Sequence, residues 1–139
     1  MVGKEGDVKG NYLFLLAIFA VAVFLFVGTR TNNPTPSNAV YFAKKQVKKQ
    51  MKDPDSTLFE EVGFYSDDEP QGKRISGYVC GKVNSKNSFG AYTGYQRFWV
   101  KISVYDNGRS ASMSLPEIEE SHSGVVKASM DVFWKEHCN

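Results

Sequence analysis

A chain of 139 residues has room for one compact domain once any targeting segment is set aside. Charged residues make up 23% of it and the net charge is only +2, which argues against a dedicated nucleic-acid binder with its marked basic excess. Two cysteines, Cys80 and Cys138, are too few for a disulfide scaffold or an all-cysteine zinc site.

The first element in chain order dominates the composition. Tyr12 to Gly28, YLFLLAIFAVAVFLFVG, carries no charge. As a helix it would span about 25 Å, slightly short of a typical hydrocarbon core. A buried core helix does not fit, because the run has no polar face for water. A cleaved signal peptide would use Lys4 and Lys9 before the run, yet the run is long for that role and VGTRTNN is a poor cleavage site. An uncleaved anchor fits best, with the lipid bilayer contacting residues 12–28. Lys4 and Lys9 keep the short tail inside and export the domain, although the lysines from Lys44 to Lys52 weaken that bias. Export would place both cysteines in oxidising surroundings.

Thr29 to Asn38 reads as a polar linker stiffened by Pro34 and Pro36. Ser37 is the expected cap of a helix from about Asn38 to Lys52. Ala39, Val40, Phe42, Ala43, Val47 and Met51 form its apolar side. Lys44, Lys45, Lys48, Lys49 and Lys52 occupy the other side. They serve either as a solvated face or as contacts for anionic headgroups. Pro54 ends the helix, and Asp53, Asp55 and Ser56 suit a capped turn far better than a calcium loop, whose spacing and glycine are missing.

From Thr57 the period becomes two. In the first strand Leu58, Glu60, Val62 and Phe64 are expected on one face, with Phe59, Glu61 and Tyr65 on the other. Arg74 to Val83 alternates again, with Ile75, Val79 and Val83 opposed to Tyr78 and Cys80. Tyr95 to Tyr105 is the clearest strand: Phe98, Val100, Ile102 and Val104 inward, Arg97, Trp99, Lys101 and Ser103 outward. Asp106 to Gly108 is a hairpin turn signal, and Arg109 to Leu115 returns as an edge strand. Pro116, Glu117, Glu119 and Glu120 suit the start of a last helix carrying Val125, Val126, Met130, Phe133 and Trp134. The fold class expected is α+β: an N-terminal transmembrane helix, then a small domain of one helix, about four antiparallel strands and a C-terminal helix, with helices on one sheet face. Residues 1–11 form a tail, 12–28 the anchor, 29–37 the linker and 38–139 the domain.

Chemistry has few places to reside. Cys80 as a nucleophile would need a base such as His122 or His137. A Cys80–Cys138 disulfide is the stronger reading, worth roughly 4 kcal/mol by chain entropy. No spacing supports a metal or cofactor site, no phosphate loop or serine elbow is present, and Glu60 and Glu61 diverge on a strand. The expectation is a non-enzyme without cofactors. Between the second and third strands, Asn84, Asn87, Phe89, Tyr92 and Tyr95 sit among glycines in a loop. It is read either as a self-packed turn or as a binding loop.

The segments VKKQMKDPDSTLF and VCGKVNSKNSFGAYTGYQRF resemble a family of small bacterial envelope and prophage-encoded proteins, over about Val47 to Phe98. The resemblance makes Asp53, Pro54, Ser56, Phe59, Cys80, Gly81, Asn84, Asn87, Gly90, Tyr92 and Gly94 signature positions. It implies no enzymatic activity and no defined site. The chain lacks the lipobox cysteine of lipoprotein members, which points again to a transmembrane anchor. The expected function is a single-pass inner-membrane protein whose periplasmic domain binds an envelope protein partner. A second reading is prophage-type superinfection exclusion, blocking phage DNA entry at that membrane.

Overall fold

The computed structural model describes residues 8–28, 33–69, 71–119 and 124–139. Expectations placed on Lys4, Glu120 and His122, and on linker residues 29–32, lie outside the described residues. The chain divides into two units, Met1–Asn32 and Asn33–Asn139. The first holds helix α1, Val8–Gly28. Its described side chains, residues 12–23, are uncharged, and Tyr12, Leu13, Phe14, Leu15 and Phe19 among them are well exposed. Among the described residues no helix is long and apolar enough to cross a membrane.

The second unit is a small α+β domain. Helix α2, Pro36–Gln50, starts two residues earlier than expected and ends two earlier. Its cap is Thr35 rather than Ser37. The Thr35 hydroxyl accepts from the Asn38 amide at 3.4 Å, and the Thr35 amide donates to Asn38 Oδ1 at 2.8 Å. This reciprocal box satisfies amides that the first turn leaves unpaired. Pro36 then occupies the first helical position, where its missing N–H costs nothing.

Five strands form one antiparallel sheet: β1 (Leu58–Ser66), β2 (Ile75–Asn84), β3 (Gln96–Tyr105), β4 (Ser110–Met113) and β5 (Glu117–Ile118). The order is β1-β2-β3-β4, with β5 also on β3. The segment expected to open the last helix is therefore a strand. Ile118 pairs with Phe98 and Glu117 with Trp99, filling the stretch of β3 that β4 leaves open. The last helix, α3, covers Gly124–His137.

Strand β1 departs from simple alternation. Its register shifts between Glu60 and Gly63, and Glu61 has φ 50°. This bulge moves the first half of the strand to the other face. Leu58, expected to share a face with Val62 and Phe64, is 45% exposed, while Phe59 packs on the core and meets Phe98 edge to face at 5.8 Å. Beyond the bulge Val62 and Phe64 pack against the core.

Gly81 makes room for this arrangement. A Cβ there would lie 2.7 Å from Val62 Cγ2 and 3.1 Å from the Phe98 ring. Helix α2 covers this face. Ala39, Ala43 and Val47 pack with Val79, Val83, Phe98, Val100, Ile102 and Val104, all essentially without solvent contact. Two alanines in the stripe let the helix approach closely, and the apolar area removed from water drives the packing.

The two helices do not share a face, which corrects the expectation of one covered side. Tyr78, Cys80, Arg97 and Trp99 project away from the α2 side, and α3 meets them there. Phe133 stacks on Trp99 with ring centres 4.0 Å apart. Cys138 is bonded to Cys80 across 58 residues, with the Cα atoms 5.8 Å apart. Met130 is buried, whereas Val125, expected to pack, is 82% exposed.

Gly77 gives the sharpest test of this packing. A Cβ there would collide with the Tyr65 carbonyl oxygen and lie 2.8 Å from Ser66 Cα, both backbone atoms. Gly77→Ala should cost about 3 kcal/mol or more, read as a lowered urea midpoint of the full chain in detergent. Gly63→Ala, which meets only the Tyr65 ring at 3.2 Å, should cost clearly less.

Candidate functional site

The turn after α2 and the β2–β3 connection form one platform. Pro54 limits Asp53 to an extended conformation, and Asp53 then caps the short 3-10 turn Pro54–Ser56. The Ser56 amide donates to Asp53 Oδ1 at 3.3 Å, and Thr57 Oγ1 donates to the Pro54 carbonyl at 2.7 Å. Ser56 is the hub. Its hydroxyl donates to the Asp53 carbonyl at 2.9 Å and accepts from the Lys86 amide at 2.9 Å. Its carbonyl accepts from the Tyr92 hydroxyl at 3.0 Å. The two segments singled out in the sequence are thus joined in space.

Asn87 organises the loop itself. Its Oδ1 accepts from the amides of Phe89 at 2.9 Å and Ala91 at 3.1 Å. Its backbone closes the turn through Ala91 and Gly90. Gly90 holds φ 81°, which favours a residue without a Cβ. The result carries Phe89 outward, 95% exposed. Tyr92 and Tyr95 are 45% and 41% exposed, each with one side against the domain. Lys86 Nζ lies 5.7 Å from the Tyr92 ring centre. Local desolvation and then a hydrogen bond to Glu60 raise the Tyr95 phenol above its ordinary pKa. Asn84 is not part of this surface. It closes β2, is 9% exposed, and its Oδ1 finds no partner among the described residues.

The other expected residues fall elsewhere. Lys45, Lys49 and Lys52 are exposed and Lys44 and Lys48 half-buried on the outer side of α2, with Lys44 Nζ 5.3 Å from the Phe59 ring centre. None of the five makes an ion pair among the described residues. The sulfur of Cys80 is held in the disulfide, so no thiol is available to attack a substrate. His137 lies beside the rings of Tyr78 and Phe133, at 4.7 and 4.5 Å. Among the described residues no group of three His, Cys, Asp or Glu is placed to hold a metal.

Sequence reading missed one cluster. Arg97 bonds Glu119 through two nitrogens, at 3.0 and 2.7 Å, and Asp131 at 2.6 Å. Its guanidinium also lies 5.6 Å from the Trp134 ring centre. It clamps β3 to the segment after β5 and to α3. Strand alternation placed Arg97 outward; its partners lie 22 and 34 residues away and only the fold brings them in.

Two outcomes follow from these contacts. Asn87→Ala removes the acceptor of two loop amides, so amide exchange at Phe89 and Ala91 should quicken by about tenfold or more, with global stability lowered by about 1 kcal/mol; unchanged exchange would show the loop is shaped by something else. The second concerns acid. Hydrogen bonding to Arg97 holds the Glu119 carboxyl below its ordinary 4.5. The native state therefore keeps it ionised where the unfolded chain begins to take up a proton. Its contribution is complete above pH 4.5 and is lost as pH falls through the lowered native value. Glu119→Gln should cost about 2 kcal/mol near neutrality and flatten the acid limb of a stability–pH curve measured by urea unfolding.

Comparison with protein-family models, with curated proteins and with solved structures gave no match to the chain.

Proposed function

We propose that the chain is a non-enzymatic, membrane-anchored envelope protein, and that its exported domain binds another envelope protein through the 85–95 loop. The observation that carries this reading is Phe89, 95% exposed on a loop held by Asn87 and by the Ser56 bonds. A large ring held in water contributes nothing to the core and suits a pocket on a partner. Tyr92 and Tyr95 beside it add contact area with few rotatable bonds.

Three further features support the setting. The apolar run 12–28 lies within helix α1, and the exposed rings and aliphatic chains of its described side chains, residues 12–23, suit lipid better than water. The disulfide fits an exported, oxidising location such as the periplasm. Within the domain, the loop stands at the far end from where the chain enters. Asn38 lies against Gly108 at the β3–β4 turn, whereas the loop joins the opposite ends of β2 and β3. A partner can therefore reach Phe89 without displacing the N-terminal connection.

A photoreactive residue at Phe89 in living cells should give one discrete adduct, weakened at least fivefold by Asn87→Ala. The same residue at Lys73, at the entry end, should not. Matching adduct patterns at the two positions, or none at Phe89, would overturn the reading.

A further inference from the structure

The geometry points to a second interaction surface: the outer face of α2 rests on an anionic phospholipid surface. This inference rests on the membrane-anchor reading and is independent of the loop. At about 100° per residue, Tyr41, Lys44, Lys45, Lys48 and Lys49 fall within an arc of about 140°. That arc lies opposite the buried stripe Ala39, Ala43 and Val47. Lys52 follows just past the helix end.

Charge is concentrated here. The chain carries +2, so with five lysines on this one face the remainder carries −3. No carboxylate among the described residues pairs with any of the five. A solvated helix face usually mixes signs, because pairs of opposite charge three or four residues apart add stability. This face instead repels itself, at Lys44–Lys48, Lys45–Lys48 and Lys45–Lys49. Anionic headgroups would relieve that repulsion.

Tyr41 is the second observation. It is 61% exposed in the middle of the lysine arc; one edge of its ring meets Phe42 with centres 5.5 Å apart, and the rest faces outward among the lysines. A tyrosine has an apolar body and a polar tip, which suits the boundary between headgroups and acyl chains. The lysine stems can lie along the same boundary with their amines at phosphate depth. The length of the connection bears on the same reading. Seven residues, 29–35, separate α1 from α2, and they can reach at most about 28 Å when fully extended. A basic segment next to an anchor gains from anionic lipid within a Debye length.

The full chain in nanodiscs provides the test. One set contains phosphatidylcholine alone and the other about one-third phosphatidylglycerol. Amine acetylation rates are read residue by residue. Lys45, Lys48, Lys49 and Lys52 should react at least threefold more slowly in the anionic discs, with the difference lost in 1 M salt. Lys127, exposed on α3 across the sheet, should react equally in both. Equal rates at the α2 lysines in the two discs, or slowing that salt does not reverse, would overturn the proposal. Failure of the chain to enter discs at all would overturn the anchor and this surface with it, leaving the loop's partner to be tested separately.

Discussion

The bond between Cys80 and Cys138 carries the side of the domain that hydrophobic burial does not. Helix α2 buries a full stripe against the sheet, whereas among the described residues of α3 Met130 alone is fully buried, with Phe133, Trp134 and His137 half-buried and Cys138 just beyond its end. That narrower contact leaves α3 more dependent on a tether than α2. Closing a loop of 58 residues removes enough unfolded-state entropy to contribute about 4 kcal/mol. That is a large share of the roughly 5–15 kcal/mol typical of a small domain. With the helix end tethered, the Trp99–Phe133 stack and the Arg97–Asp131 pair form at little further entropic cost.

The central strand β2 makes both sides possible. On one face Gly77 and Gly81 lower its surface so that Val62, Phe98 and the end of β1 can close over it. On the other face Tyr78 and Cys80 receive α3. A strand with glycines on one face and a cysteine on the other looks poor in propensity. Its neighbours supply the side chains that it lacks.

Much of this was legible in the residues. The outer and inner faces of β3, the apolar stripe of α2 and the cysteine pairing followed from period and count. What was not legible is non-local or hinges on a single residue. The bulge puts its positive φ at Glu61 and not at the nearby Gly63, and a glutamate does not mark such a site, so Leu58 and Phe59 were assigned to the wrong faces. Glu117 and Ile118 carry helix-start chemistry, but β3 had an unpaired stretch and β pairing prevailed. Ser37 was read as the cap, but Pro36 suits the first helical position, which sets the cap one residue before it at Thr35. In the loop, Asn87 and Gly90 were readable as turn-makers. The outward direction of Phe89 was not, since the loop is also fixed by Ser56, which lies 30 residues before Lys86 and 36 before Tyr92.

The platform and the lysine face are mechanically one body. Only Met51 to Asp55 separate the end of α2 from Ser56, and Pro54 with the Asp53 cap stiffens that passage. Ser56 then fixes the loop through Lys86 and Tyr92. A contact that orients α2 therefore orients Phe89 as well. Were the passage a run of glycine and serine, the two surfaces could bind independently. Built as it is, the domain presents its aromatic tip in one direction relative to its basic helix.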